Sequence, residues 1–287
     1  MKKTYDQPLI KACWSFINAG DYKKAIEAGK LAVEKYPKDS EAYFCLGLAY
    51  YNVGEFKLAL ENLKKAESLT NNKENLMYIY NIIGQIFHST GYLDYTLLYY
   101  IMSLSLAKDL NNTDLQAATL NNIAGIYMDT GELDKALSYL EEILKLEINE
   151  KAKAPTYNNI AMIYSKKGDY QKAVKYFQKA IEIDEKYGNY HDVSIHKLNL
   201  GDTYRQMKDY EKAEKYLFEG LEGVKKVGDK FMKATGYGYL GWLYRDKGNK
   251  IEAREYFTRA YNLFKSIGAE VCALGVLVEI KKLDKSN

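Results

Sequence analysis

The chain has 287 residues, with 41 lysines and arginines against 38 aspartates and glutamates, so its net charge at pH 7 is only +3. Because charges of both signs are interspersed, the composition argues against a nucleic-acid partner and against a polybasic membrane anchor. Lys11 interrupts the first apolar stretch, which argues against a signal peptide or a membrane span there. We therefore expect a cytoplasmic protein.

A turn with the same surroundings recurs seven times. Each turn residue has a small residue seven positions before it, a large aromatic residue four positions before it and, except at Thr96, an alanine five positions after it. Glycine favours the left-handed conformation that ends a helix, and a following aspartate such as Asp21 can cap the next helix. The turn residues are Gly20, Gly54, Gly91, Gly131, Gly168, Lys208 and Gly248.

This pattern predicts helical hairpins. A small residue one turn away from an aromatic ring lets two helix backbones approach closely, with the ring filling the space beside them. One hairpin cannot bury its own apolar stripes, so neighbouring hairpins must stack. The small-residue position holds Cys13, Gly47, Gly84, Ala124, Ala161, Gly201 and Gly241. The aromatic position holds Phe16, Tyr50, Phe87, Tyr127, Tyr164, Tyr204 and Tyr244.

Over roughly residues 6 to 265 the pattern resembles the tetratricopeptide repeat (TPR) family. The resemblance implies an all-α fold, a right-handed α-solenoid of about seven TPR hairpins plus a C-terminal capping helix, in a single superhelical domain over 1–287. The turns are spaced by 34, 37, 40, 37, 40 and 40 residues, and increments of three lengthen a helix by about one turn. Such extended repeats are similar to those of Pins-type adaptors, kinesin light chains and bacterial Rap-type regulators. The predicted repeats are 6–39, 40–73, 77–110, 117–150, 154–187, 194–227 and 234–267.

Further left-handed turns are expected between hairpins, at Asn111, Gly188, Gly228 and Gly268. Before the first repeat, residues 1–5 are polar and contain no effector region. After the last, residues 269–283 predict a capping helix that buries its apolar side and presents a charged face to water.

The search for catalytic chemistry finds no candidate. The segment from Gly236 to Gly241 matches the dinucleotide-binding fingerprint, but it follows no strand and falls within a predicted helix. His191 and His196 are read as surface histidines, since no cysteine or carboxylate cluster completes a metal site. The three cysteines fit as small, reduced, buried residues. We predict no enzyme activity, no cofactor and no metal.

A row of asparagines distinguishes the first helices of successive repeats. Two positions before the small residue lie Asn122, Asn159 and Asn199. Since first helices line the inner wall of a TPR superhelix, these amides are expected to face the groove, where they could hold the N–H and C=O groups of an extended peptide. A similar asparagine ladder is implied by the resemblance to kinesin light chains. The alternative is that each amide bonds a neighbouring helix. The flanking members of the row are Asn81, Asn121 and Asn158.

Other groove positions change character along the chain. Phe44, Tyr51 and Tyr78 supply aromatic surface near the N-terminus, whereas Arg205 and Arg245 recur at a spacing of 40 near the C-terminus. The arginines could grip an acidic side chain or a carboxylate. They could equally pair internally, because Asp202 and Asp246 lie nearby in the sequence.

The sequence therefore predicts a non-catalytic interaction scaffold that binds an extended or partly helical segment of a partner protein in a concave groove. One alternative is a peptide-sensing regulator of the Rap type, against which the lack of a preceding effector region argues. Another is self-association, in which the terminal helix of one molecule inserts into the groove of the next.

Overall fold

The computed structural model describes residues 7–285, and these residues form fifteen α-helices and no strand. The polar start expected over residues 1–5 lies outside the described residues. The all-α, helix-pair architecture expected from the repeat is confirmed. The helices are α1 (Pro8–Asn18), α2 (Tyr22–Lys35), α3 (Ser40–Asn52), α4 (Phe56–Leu69), α5 (Lys73–Ser89), α6 (Leu93–Asp109), α7 (Thr113–Asp129), α8 (Leu133–Lys145), α9 (Glu150–Lys166), α10 (Tyr170–Lys186), α11 (Tyr190–Gln206), α12 (Tyr210–Val227), α13 (Lys230–Asp246), α14 (Lys250–Ser266) and α15 (Glu270–Lys285).

The chain divides into two compact units, Met1–Thr130 and Gly131–Asn287, called here the N-terminal and C-terminal units. In the N-terminal unit α1 packs on α2, α3 on α4 and α5 on α6, and the first helix α3 also touches the first helices α1 and α5. In the C-terminal unit α9 packs on α10, α11 on α12 and α13 on α14, with α15 against α14. Each pair is thus a helical hairpin stacked on its neighbour within its unit.

The turns have the backbone conformation that the sequence predicts. Lys208 and Asn111 adopt left-handed φ values of 64° and 52°, as the glycines at the other turn positions also do. The side chain of Asp21 accepts a hydrogen bond from the backbone N–H of Lys24, and Asp169 and Asp209 make the same bond in their own hairpins. A left-handed residue therefore ends the turn region of each hairpin, and in these three hairpins an aspartate caps the second helix, whereas α4, α6, α8 and α14 have no side-chain cap.

The small-residue position is where the two helices of a hairpin come closest. A Cβ atom added to Gly84 would lie 2.5 Å from the Tyr100 ring, and one added to Gly241 would lie 2.5 Å from Phe257. A Cβ atom at either glycine would push its paired helices apart, so the close approach in these two hairpins requires glycine.

The last helix differs from the expected charged cap. Val271 is 84 % exposed and Leu274 is 59 % exposed, so α15 presents apolar residues to solvent. In the preceding hairpin Ala234 occupies the position of Leu274 and is fully buried. The expectation of a polar outer face is therefore wrong for this part of α15.

Candidate functional site

The N-terminal unit contains an open cleft. It is formed by the first helices α1, α3 and α5 and has a volume of about 780 Å³. That volume lies within the range of sites that bind ligands or side chains. Its apolar lining consists of Trp14, Phe44, Leu48, Tyr78 and Ile82. Its polar rim consists of Lys11, Ser15, Asn18, Glu41, Glu74 and Asn75.

The aromatic residues of this cleft are held in a fixed arrangement. The rings of Trp14 and Phe44 meet edge to face with their centroids 5.3 Å apart. Phe44 is almost fully buried and forms the base, whereas Tyr78 is 40 % exposed and leaves its ring open to solvent. The cleft therefore has a rigid floor and an accessible aromatic wall.

The rim of the cleft carries more negative than positive charge. Glu41 and Glu74 extend from α3 and α5, and Lys11 lies on α1. The Nδ2 atom of Asn75 donates a hydrogen bond to a carboxylate oxygen of Glu41 at 3.1 Å. This bond fixes the Glu41 carboxylate at the edge of the apolar floor.

A disulfide lies directly behind the cleft and corrects the expectation of reduced cysteines. Cys13 and Cys45 are bonded to each other, both are fully buried, and their Cα atoms are 6.3 Å apart. The bond joins α1 to α3, the first helices of two successive hairpins. Only Cys272 is a free thiol among the described residues.

Of the three aromatic residues expected in the groove, Tyr51 does not line the cleft. It is half-buried, and its ring packs against Phe56 at 6.2 Å. Burial raises the pKa of its hydroxyl. Phe44 and Tyr78 both line the cleft as described above.

The asparagine row of the N-terminal unit is partly enclosed. Asn81, expected on the groove, is buried; its Nδ2 atom donates to Thr119 at 3.1 Å, and its Oδ1 atom accepts from Gln85 at 2.9 Å. Its hydrogen bonds thus link α5 to α7 and to the next turn of α5, so it lies between helices and not on an open surface. Asn121 and Asn122 are half-buried.

In the C-terminal unit the amides bond to each other. The buried Asn158 accepts a hydrogen bond from Asn199 at 3.1 Å across the α9–α11 interface, and it donates to the adjacent Asn159 at 3.3 Å. The Tyr239 hydroxyl donates to Asn199 at 3.4 Å. Asn159 and Asn199 remain half-buried, and Asn199 borders a small cavity of about 170 Å³.

One member of this network was missed by sequence reasoning. His196 was expected at the surface, but it is only 4 % exposed. Its Nδ1 atom lies 3.0 Å from the side-chain Oδ1 atom of Asn158, and its Nε2 atom lies 2.9 Å from the buried Asp184 carboxylate. Burial lowers the pKa of the imidazole, an effect that Asp184 opposes.

A signal for that burial was present in the sequence. His196 lies five positions before the small residue of its repeat. In other repeats the same position holds apolar or small residues, so the repeat pattern predicts that a residue at this position is buried. The corresponding residues are Ala42, Ile79, Thr119, Thr156 and Gly236.

The two groove arginines pair internally. The Arg205 Nε atom lies 2.7 Å from Asp202, and its guanidinium also contacts Asp246. Arg245 contacts Asp246 at 3.0 Å and Glu279 on α15 at 2.6 Å. The arginines therefore bind the first helices of the C-terminal unit to one another.

The sequence comparisons identify the family. Its model, described as tetratricopeptide repeat, matches in overlapping copies at 115–186, 152–226 and 192–266, and a second model of the same description matches 29–61. The chain belongs to the tetratricopeptide repeat family. The dinucleotide-like segment of this TPR protein lies inside α13, where Gly236 and Gly241 pack against neighbouring side chains.

Two curated relatives are similar to parts of this TPR protein. A TPR repeat-containing protein, MJ1428, from Methanocaldococcus jannaschii is 29% identical over 152 residues, which cover 53% of this chain and 25% of that protein. The uncharacterized protein ycf37 of Pyropia yezoensis is 29% identical over 119 residues, covering 40% of this chain and 63% of that protein. The matched segments therefore span less than two thirds of either relative.

Solved structures with the same fold include a Rap protein and a quorum sensor. A Rap protein complexed with competence and sporulation factor matches with a TM-score of 0.65 and 17% identity, covering 100% of this chain and 89% of that one. The apo form of the quorum sensor NprR from B. thuringiensis matches with a TM-score of 0.68 and 18% identity, covering 96% of this chain and 86% of that one. At these identities the likeness shows a shared fold.

None of the described helices combines the length and apolar character needed to cross a bilayer. Nor do three histidine, cysteine, aspartate or glutamate side chains converge in residues 7–285 to hold a metal ion.

Proposed function

We propose that this TPR protein is a non-catalytic interaction scaffold that binds an extended or partly helical segment of a partner protein. The observation that carries the proposal is the open aromatic cleft between α1, α3 and α5. Buried aromatic anchors in desolvated pockets supply most of the affinity in protein interfaces. The cleft would take one bulky apolar side chain of the segment against Phe44 and Tyr78.

The rim suggests what lies beside that anchor. Glu41 and Glu74 border the apolar floor, so a lysine or arginine next to the anchoring residue would meet opposite charge.

In the C-terminal unit, the half-buried amides of Asn159 and Asn199 would hydrogen-bond backbone groups of a bound segment. Asn122 would do the same in the N-terminal unit. The enclosed Asn81 would hold the first helices of the N-terminal unit in place, and the enclosed Asn158 with the paired Arg205 and Arg245 would do so in the C-terminal unit.

A displayed peptide library, selected on the purified protein, tests the proposal. We expect enrichment of peptides that have an aromatic residue or leucine beside lysine or arginine. Tyr78→Ala removes the accessible wall and should weaken the selected peptides about 10-fold to 100-fold in a binding titration. Tyr190→Ala is the matched control, because Tyr190 is an exposed tyrosine of the other unit.

Charge reversal distinguishes the contribution of the charged rim to binding from that of the aromatic floor. Glu74→Lys should weaken a selected basic peptide, and replacing the basic residue of that peptide with glutamate should restore binding to this variant. If the selected peptides bind wild type, Tyr78→Ala and Glu74→Lys equally, the cleft is not the binding site and the proposal fails.

A second candidate is a peptide-sensing regulator. Its support is the fold shared with a Rap protein complexed with competence and sporulation factor. A sensor would change shape on binding, so small-angle scattering should show a smaller radius of gyration when a selected peptide is added. An unchanged scattering profile at saturating peptide would eliminate the sensor and leave the scaffold.

We further propose a cytoplasmic location, and the Cys13–Cys45 disulfide provides a direct test. Disulfides persist in oxidising compartments and are rare in the cytosol. Thiol labelling in freshly lysed native cells reports whether Cys13 and Cys45 are bonded there, and labelled cysteines would support the cytosol. A disulfide that resists labelling would argue against that location.

A further inference from the structure

The C-terminal unit contains a continuous chain of hydrogen bonds that runs from His196 to Tyr239. The imidazole lies between the Asp184 carboxylate, 2.9 Å from Nε2, and the Oδ1 atom of Asn158, 3.0 Å from Nδ1. The same Oδ1 atom accepts from Asn199 at 3.1 Å, and the Asn199 Oδ1 atom accepts from the Tyr239 hydroxyl at 3.4 Å. The chain therefore connects side chains of α9, α10, α11 and α13.

The number of protons on the imidazole fixes the direction of these bonds. Asp184 is buried and accepts from Asn189 at 2.7 Å with its other oxygen, and as a carboxylate it can only accept from His196. The Oδ1 atom of Asn158 is an acceptor as well. An imidazole between two acceptors must donate from both nitrogens, which only its protonated form can do. The arrangement in the structure thus corresponds to protonated His196.

Loss of that proton removes the donor at Nδ1. Burial lowers the pKa of the imidazole, and Asp184 on α10 and Asp192 on α11 oppose the shift. No charged side chain of α9, α12 or α13 within residues 7–285 adds to these effects. The neutral imidazole keeps its Nε2–H for Asp184, so its bare Nδ1 atom would face the lone pairs of Asn158 Oδ1 without a hydrogen between them.

We propose that deprotonation of His196 turns the Asn158 amide over and reverses the hydrogen bonds from His196 to Tyr239. After the half-turn, the Asn158 Nδ2 atom takes the place of Oδ1 and donates both to the imidazole Nδ1 atom and to Asn199, whose own amide turns to accept. The Asn199 Nδ2 atom then donates to the Tyr239 oxygen. Because the two ends of an amide differ little in shape, each bond changes direction without movement of a helix.

The reversal gives up only the weaker contacts of Asn158. In the protonated arrangement its Nδ2 atom donates to Asn159 at 3.3 Å and contacts the Met162 sulfur at 3.6 Å. The first bond is longer than usual for N–H···O, and a thioether is a weak acceptor. The shorter contacts of His196 with Asp184 and Asn158 are kept in both arrangements. Each protonation state therefore has its own preferred orientation of the amides.

The far end of the chain lies at a small cavity. Asn199 and Tyr239 both line this cavity, which has a volume of about 170 Å³. In the protonated form Asn199 engages the Tyr239 hydrogen, whereas in the neutral form that hydrogen is free to donate to a group in the cavity. His196, which is 4 % exposed, is thus a positioning residue for a surface that it does not touch. For a bound peptide, a consequence that rests on the proposed function, neutral His196 favours a carbonyl oxygen there.

NMR of the protein labelled with ¹⁵N at histidine and asparagine tests the reversal. His196→Gln identifies the His196 signals by their loss. Above its titration midpoint His196 should be the Nε2–H tautomer, and a scalar coupling should connect its Nδ1 atom with the Asn158 Nδ2 atom across the N–H···N bond. Below the midpoint both ring nitrogens should carry hydrogen and the coupling should vanish. His191 is the matched control, because its neighbours Asp192 and Asp229 are carboxylates and not amides.

The side-chain amide signal of Asn199 tests the transmission. In wild type it should change with the same pH midpoint as His196, and in His196→Gln this transition should be absent. Asn158→Asp can only accept, so it should favour the protonated imidazole and raise the midpoint by at least about one pH unit, a 10-fold gain in proton affinity. Asn158→Leu can neither donate nor accept, so His196 should still titrate while most of the Asn199 response is lost. Circular dichroism checks that each variant is folded.

Three results would overturn the proposal. One is an Nδ1–H tautomer of neutral His196, which would leave Asn158 in place at every pH. Another is a titration of His196 that Asn199 does not follow. The third is an imidazole that stays in one protonation state from about pH 4 to about pH 9, on both sides of the ordinary histidine pKa. None of these measurements uses a peptide, so a failure here is distinct from a failure of the aromatic cleft as a binding site.

Discussion

Glycine at the small-residue position illustrates how a single side chain limits the distance between two helices. Gly84 and Gly125 are both inside helices of the N-terminal unit, but they have different surroundings. A Cβ atom at Gly84 would meet the Tyr100 ring at 2.5 Å, whereas one at Gly125 would have no neighbour within 4 Å. Adding a methyl group at Gly84 therefore tests the cost of a steric clash, whereas adding one at Gly125 tests the gain in helix propensity.

We predict opposite effects for the two alanine substitutions. Gly84→Ala should lower the free energy of unfolding by about 1–3 kcal/mol, because the buried Tyr100 ring must move. Gly125→Ala should raise it by about 0.5–1 kcal/mol, because alanine favours the helix. Urea unfolding followed by circular dichroism measures both. A stabilising Gly84→Ala would contradict the close approach of α5 and α6.

His196 gives a residue-scale prediction that depends on pH. Burial holds its folded-state pKa below the ordinary value of 6.5, although Asp184 on α10 and Asp192 on α11 oppose the shift. The unfolded chain therefore binds this proton more readily, and stability contributed by the neutral imidazole is lost as the pH falls below 6.5. His196→Gln should remove this part of the pH dependence.

The measurement compares unfolding free energies at about pH 7.5 and about pH 5.5, on either side of the ordinary histidine pKa. Wild type should lose more stability on acidification than His196→Gln does. His191→Gln is the control, because His191 is half-buried and lies at the start of α11. Equal losses in wild type and His196→Gln would refute the role of the buried imidazole.

At the scale of the element, the Cys13–Cys45 disulfide should contribute strongly to the stability of the N-terminal unit. It connects α1 and α3 across a sequence separation of 32 residues. Closing a loop of that length should stabilise the fold by about 3–4 kcal/mol, through the reduced entropy of the unfolded chain. Reduction should also loosen the cleft, since Trp14 and Phe44 adjoin the two cysteines.

Unfolding in urea with and without dithiothreitol measures this contribution. The double variant Cys13→Ala/Cys45→Ala should be destabilised to a similar extent and should no longer respond to the reductant. Cys272→Ala should unfold like wild type under both conditions. Three titratable thiols in the denatured, unreduced protein would show that the disulfide does not form.

The helices themselves follow from local sequence signals. Turn residues, capping aspartates and the spacing of small and aromatic residues depend on contacts within one hairpin, so they predicted where each helix pair would occur. The outer face of α15 depends on what packs against it. Sequence periodicity marked Val271 and Leu274 as apolar but could not tell which neighbour would cover them.

At the scale of the whole molecule, the repeat also predicted part of the candidate site. First helices contribute the lining of the N-terminal cleft, as expected for Phe44 and Tyr78. The disulfide and the His196–Asp184 pair were not foreseen, because each joins residues from helices that only stacking brings together. Likewise, the sequence did not show which asparagine side chains bond a neighbouring helix and which border an open surface.

The sequence by itself determined the TPR fold, since the hairpins repeat left-handed turns and close helix contacts, and three of them share a capping aspartate after the turn. Tertiary structure decided which polar side chains have hydrogen-bond or ion-pair partners within the protein. Asn81, Asn158, Arg205 and Arg245 find partners on adjacent helices, whereas the aromatic cleft between α1, α3 and α5 is open to solvent. The physical reason is that hydrogen bonds and burial depend on distances between hairpins, which periodicity along one chain does not specify.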